Sequence, residues 1–285
     1  MENSMKIGRI ILFAIVLSIL VFGNSKSHAA EGDMTVTPTR IIFEDRDRSS
    51  QVLLVNRGET RATFRIEFVQ MRMDEDGVMA EVSEPNEREL FADPLIRYSP
   101  RQVTLEPGAS QTIRLALRKP ADLAAGEYRS HLLFYAIPPD APDVDVEANP
   151  EQAGEGFKVD IRAIFRISIP VIVRHGDLPV QFEIADLALH PGNPPELALT
   201  MKRTGRRSVY GDIHVHYEPV GGGERRLLRY LKDFVIYTSN DIRRLRTPLD
   251  VPEDVRLAGG SLIVSYSRSD TEQAELLAEA RLPLP

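Results

Sequence analysis

His214 and His216 stand at i and i+2, a spacing that in a strand turns both imidazoles to one face and could offer them to a metal ion. No third ligand follows nearby, so no metal site is expected there. A metal-dependent hydrolase built on the pair would need stoichiometric metal to stand as a reading. Gly221-Gly222-Gly223 lacks the Lys-Ser/Thr of a phosphate loop and lies between two strand-like runs, which predicts a hairpin turn. Six acidic residues between Asp140 and Gly156 do not follow the order of a calcium loop, and a solvated connection is expected. There is no Gly-x-Ser-x-Gly elbow and no Cys, which removes nucleophilic thiols, thiolate metal sites and disulfides. The chemistry at hand therefore predicts a protein that is not an enzyme and carries no cofactor. What the sequence does supply is arginine. Arg203, Arg206, Arg207, Arg225, Arg226, Arg229, Arg243, Arg244 and Arg246 make the last third locally basic, either as a solvated face or as a dock for an acidic partner.

These residues are set in a chain of 285 residues with 35 basic and 42 acidic side chains, a formal net charge of −7. That excess argues against a general nucleic-acid binder. Lys6 and Arg9 precede an apolar run from Ile10 to Phe22, and Ser27-His28-Ala29 places small residues where a signal peptidase reads. Residues 1–29 are expected to be a cleaved secretory signal peptide, because thirteen helical residues span about 20 Å, short of a roughly 30 Å hydrocarbon core. No second long apolar run follows, so no membrane insertion of the mature chain is expected.

From Met34 onward, alternating segments of five to nine residues are separated by Gly, Pro, Asp and Asn. Val52 and Leu54 run into an Asn56-Arg57-Gly58 turn; Phe64, Ile66 and Phe68 share one face of the next strand. Asp74-Glu75-Asp76-Gly77 and Glu106-Pro107-Gly108 read as further turns. Residues 271–280 admit a helix, but a final strand paired back onto Leu262 to Tyr266 is favoured. The fold class is all-β, and a break at His175-Gly176-Asp177-Leu178-Pro179 divides 30–175 from 176–285 as two domains.

The segment from Phe157 to Val173 is apolar at every odd position: Phe157, Val159, Ile161, Ala163, Phe165, Ile167, Ile169, Val171 and Val173. Lys158, Asp160, Arg162, Arg166, Ser168 and Arg174 occupy the even face, with Ile164, Pro170 and Ile172 as exceptions. Fully extended, it would reach about 56 Å at roughly 3.3 Å per residue. A single sandwich cannot cover such an edge, so either the strand bends at Pro170 or its early half needs a partner.

Several segments, in order, resemble the PapD-like periplasmic pilus chaperones: Thr39-Arg40-Ile41-Ile42-Phe43, Val52-Leu53-Leu54-Val55-Asn56, Tyr98-Ser99-Pro100, Thr104 to Leu115, Gly126-Glu127-Tyr128-Arg129-Ser130 and Ile137-Pro138-Pro139. Ser208 to Asp212 and Gly259 to Val264 look like that family's second domain. The resemblance implies two immunoglobulin-like β-sandwich domains set in an L around a cleft. It implies donor-strand complementation, in which Phe157, Val159, Ile161, Ala163 and Phe165 would fill the groove of a pilus or surface-fibre subunit in the periplasm, followed by delivery to an outer-membrane usher. It also implies a basic clamp on the subunit's terminal carboxylate. Arg40 matches the clamp's first member. Pro170 stands where the family has Lys, leaving Arg166 and Arg174, which share the even face, as substitutes. Leu133 replaces the family's Asn before the Pro-Pro motif. Whether free copies cap one another's strand as a dimer stays open, and so does the alternative of a secreted structural or adhesive sandwich that self-assembles through its long strand.

Overall fold

The structure is a computed structural model that describes residues 33–44, 46–138, 165–268 and 275–285. The leader, the acidic connection and Phe157, Val159, Ile161 and Ala163 of the expected donor strand lie outside the described residues. Among those described, regular structure is β throughout apart from one short 3-10 turn at Asp93–Leu95.

Eleven strands come first: β1 (Met34–Thr37), β2 (Ile41–Phe43), β3 (Ser49–Asn56), β4 (Ala62–Val69), β5 (Met71–Met73), β6 (Met79–Glu81), β7 (Ile96–Ser99), β8 (Gln102–Leu105), β9 (Ser110–Leu117), β10 (Gly126–Ile137) and β11 (Arg166–His175). They make one sheet in the order β1-β3-β9-β7 and a second in the order β2-β11-β10-β4-β8, with β5 and β6 as a separate hairpin. Alternation explains the packing. Val52, Leu54, Ile113 and Leu115 point inward from one sheet, and Phe64, Ile66, Leu132, Phe134, Ile169 and Val171 from the other, forming one core. At the β3 end, the buried Asn56 amide donates to the carbonyls of Thr60 and Leu105, and its Oδ1 accepts from the Gly58 N–H. That Asx turn is the turn expected at Asn56-Arg57-Gly58. Gly108 has φ +73, the left-handed position expected of the Glu106-Pro107-Gly108 turn.

Seven strands follow: β12 (Val180–His190), β13 (Glu196–Gly205), β14 (Val209–Glu218), β15 (Arg226–Ile236), β16 (Ile242–Pro248), β17 (Ser261–Arg268) and β18 (Glu275–Pro283). The orders β12-β13-β16 and β15-β14-β17-β18 give a second sandwich around Leu197, Leu199, Met201, Ile213, Val215, Leu262 and Val264. The strand alternative for the C-terminal stretch is the observed one, with β18 antiparallel to β17 and Leu282 opposite Leu262. Gly221 and Gly222, both at positive φ, form the turn between β14 and β15.

β11 is the element that links core to cleft. Its odd residues Ile167, Ile169, Val171 and Val173 face the first core, as the alternation requires. The even exception Ile172 is fully buried on the opposite side, in a small cluster with Met73 of β5 and with Tyr210 and Tyr237 of the second sandwich. The strand is therefore polar on one face at its start and apolar on both over Val171, Ile172 and Val173, because there it becomes part of the contact between sandwiches.

Candidate functional site

The site is built where β2 and β11 run parallel. Val171, Ile172 and Val173 pair with Ile41, Ile42 and Phe43, so Arg40, one residue ahead of β2, comes level with Pro170. The two border a cleft of about 320 Å³ whose facing wall is Tyr210, Asp233, Val235 and Tyr237 from β14, β15 and the turn after it. Arg40 is half-buried, and its guanidinium lies 4.1 Å from the centroid of the Tyr210 ring. Among the described residues it makes no hydrogen bond or ion pair. A planar cation whose N–H donors are unclaimed, held on an aromatic floor, is suited to bind a carboxylate bidentately. Asp233, at φ +55 and tied by its N–H to Asp212 Oδ1 at 2.9 Å, sets a carboxylate on the opposite rim.

Arg174 is in the contrary situation. It is buried at the far end of β11, where Nε donates to Glu127 Oε2 at 3.0 Å and Nη1 to Glu44. Burial lowers its pKa, but the Glu127 and Glu44 carboxylates more than offset this, and the net shift is upward. Glu127 also accepts the Ser208 N–H at 3.1 Å, and Glu44 accepts from Arg207 at 3.3 Å, so the ion pair bridges the two sandwiches. Arg174, expected to share a client carboxylate, is already engaged by these two internal carboxylates. Arg166, opposite Tyr135 at the start of β11, is exposed, with its guanidinium 5.3 Å from that ring. Four residues of strand, about 13 Å, separate it from Pro170 beside Arg40. Arg166 and Arg174 thus lie towards opposite ends of β11, with Arg40 beside its middle, so the three arginines are not gathered around one carboxylate.

The cleft's geometry is held by the β5–β6 hairpin, which reaches from the first sandwich onto the second. Met73 is buried against Tyr210 and Tyr237, and its carbonyl accepts from Asn240 Nδ2 at 2.9 Å. Arg244 donates its N–H to the Glu75 carbonyl at 2.6 Å and pairs with the Glu75 carboxylate. Arg88 forms a two-pronged bridge to Asp241 at 2.6 and 2.9 Å. Behind these contacts the Arg129 guanidinium lies 3.5 Å from the Tyr237 ring centroid and donates to the Met71 carbonyl. The buried His131 meets the same ring edge-on, with its pKa pushed down to about 3 by burial and then by Arg129.

The other sequence candidates fall elsewhere. His214 stacks on Tyr230 at 4.8 Å between centroids, with His216 6.2 Å from it on the same face. No group of three metal-ligating side chains occurs among the described residues. Much of the basic run is occupied internally. Arg203 is almost fully buried and donates to the carbonyls of Asn240, Gly205, Arg207 and Thr238, while Arg225, Arg226 and Arg229 pair with Glu218, Asp254 and Asp250. Sequence reasoning missed Tyr210, Asp233 and Glu127, whose partners are remote in the chain. The ordered Gly126-Glu127-Tyr128 and Ser208 to Asp212 segments contain Glu127 and Tyr210 but gave neither a role.

No match was found among curated proteins. Among solved structures, the chaperone CupB2 of Pseudomonas aeruginosa is 13% identical, with 88% of this chain and 100% of that one covered and a TM-score of 0.44. For the E. coli chaperone DraB the values are 13%, 89%, 97% and 0.43. For a chaperone–tip adhesion subunit pre-assembly complex, CsuC–CsuE of Acinetobacter baumannii, they are 13%, 87%, 97% and 0.41. The sequence profile described as "Pili and flagellar-assembly chaperone, PapD N-terminal domain" matches residues 33–176, half of the chain, and the protein belongs to that family of pilus-assembly chaperones.

Proposed function

We propose that the protein works in the periplasm, after removal of residues 1–29, as a non-enzymatic chaperone that completes the fold of pilus or surface-fibre subunits by donor-strand complementation and passes them to an outer-membrane usher. The observation that carries this reading is the state of β11. β10 pairs along its whole length, but on the other side β2 covers only Val171 to Val173. From Arg166 to Pro170 no strand among the described residues pairs with that edge, so N–H and C=O groups are available to an added strand. Phe165, just ahead of β11, is exposed, and continues the odd apolar series of Phe157, Val159, Ile161 and Ala163. Insertion of four large side chains into a subunit groove, at about 2 kcal/mol each, supplies several kcal/mol.

Arg40 is the proposed anchor for the subunit's terminal carboxylate. A single bidentate contact at a fixed point beside Pro170 sets the register of the added strand, and a slip of one residue would turn every apolar side chain away from the groove. Phe165→Asp and Ile161→Asp test the strand. Each should abolish recovery of a chaperone–subunit complex from the periplasm, and undiminished recovery with both would end the donor-strand reading.

A further inference from the structure

The anchor proposed above has a support from the other sandwich. Arg40 belongs to the first sandwich, yet the surface its guanidinium rests on, at 4.1 Å, is the ring of Tyr210 on β14 of the second. Tyr210 is itself buried and cannot turn away. Tyr237 packs edge-on against it at 5.9 Å and 76°, and the Arg129 guanidinium, 3.5 Å from the Tyr237 centroid, closes the stack from the first sandwich. Two tyrosines of one sandwich are therefore bracketed by two arginines of the other. Arg129 donates to the Met71 carbonyl and serves the packing, whereas Arg40 faces the cleft.

We infer that Tyr210 is a positioning residue for client recognition: its ring face holds the Arg40 guanidinium flat, so that the N–H edge points into the cleft toward a carboxylate. This rests on the reading of Arg40 as the anchor. The physical reason is that a guanidinium on a long flexible stem otherwise loses rotamer freedom on binding, and a ring already fixing its plane removes part of that cost. An aliphatic side chain of similar bulk would fill the space without the negative ring face that attracts the cation.

The test follows the Arg40 Nε–Hε resonance of the purified protein, identified by its loss in Arg40→Ala, during titration with N-acetyl-alanyl-alanine or its C-terminal amide. In the unmodified protein that resonance should be displaced upfield by the ring current of Tyr210, and should move with the free carboxylate but not with the amide. Tyr210→Phe, which keeps the ring, should bind as the parent does. Tyr210→Leu should lose the upfield displacement and bind about three- to tenfold more weakly, the range of a cation–π contact of this exposure. Carboxylate binding unchanged in Tyr210→Leu, or a loss in Tyr210→Phe equal to that in Tyr210→Leu, would overturn the assignment. If Tyr210→Leu proves unfolded, an Arg40 resonance at the position of free arginine in the parent protein overturns it without any variant. An upfield-displaced resonance that ignores the carboxylate would instead refute the anchor reading, and with it the recognition role, while leaving the stacking intact.

Discussion

Arg40 and Arg174 flank the same short parallel ladder between β2 and β11, and they differ in almost everything but residue type. Arg174 is nearly inaccessible, held by Glu127 and Glu44, and tied through both carboxylates to Ser208 and Arg207 of the second sandwich. Arg40 is half-buried on Tyr210 and borders an open cleft. The first is a closed electrostatic unit whose charge is balanced internally, so it can stabilise a domain contact but offers nothing to a ligand. The second is an unbalanced charge with its donors unclaimed. Arginine is suited to either use because its guanidinium has five donors to distribute. Its surroundings decide which use prevails.

The sharpest way to break this contrast is to truncate each arginine and measure stability and client binding separately. Arg174→Ala leaves Glu127 buried without its partner and should cost about 3–5 kcal/mol in denaturant unfolding. Arg40→Ala forfeits one cation–π contact and should change stability by no more than about 1 kcal/mol. Equal losses of stability would erase the distinction.

A second test uses pH on the contact between the sandwiches, where His131 packs against Tyr237. His131 takes up a proton near pH 6.5 when unfolded but only near about 3 when folded, because burial and then Arg129 oppose its charge. Between those values the unfolded state binds more protons, so this group's contribution is complete above about pH 6.5 and declines as pH falls, by up to about 1.4 kcal/mol per unit. Over two units that amounts to at most about 3 kcal/mol. His131→Leu should flatten the stability profile between pH 6.5 and 4.5; an unchanged slope would place the acid sensitivity elsewhere.

The smallest expected effect concerns the hairpin's outer bridge. Arg88 and Asp241 are both largely exposed, and solvent screening limits their pairing to well under about 1 kcal/mol. Arg88→Ala should barely move the unfolding midpoint, whereas Met73→Ala, which empties a buried position between the sandwiches, should cost about 2–5 kcal/mol.

Much of the scaffold was legible in the sequence because its causes are local. Period-two alternation placed the strands, the turn residues at Asn56-Arg57-Gly58 and Glu106-Pro107-Gly108 fixed two of their ends, and the ambiguous C-terminal stretch resolved as the strand that pairs with Leu262. Even the breaks in the β11 alternation carried information, since Pro170 and Ile172 mark where the strand meets the second sandwich. The site was legible only in part. Arg174 finds Glu127 47 residues away and Glu44 130 residues away, and Arg40 finds Tyr210 on another sandwich. No spacing rule reaches across such separations, so an arginine engaged internally and one open to a client look alike in the sequence. The same holds for Arg203, read there as part of a basic face and found beneath it, donating to four backbone carbonyls.

The most direct measurement is affinity purification of the parent protein and of Arg40→Ala from the native periplasm at low expression, with intact mass spectrometry of what co-elutes. A stoichiometric β-rich subunit is expected with the parent, and its loss with Arg40→Ala, although both proteins unfold alike. Recovery of the same subunit at equal yield from both, or of the bare protein alone while its native partners are expressed, would contradict that expectation.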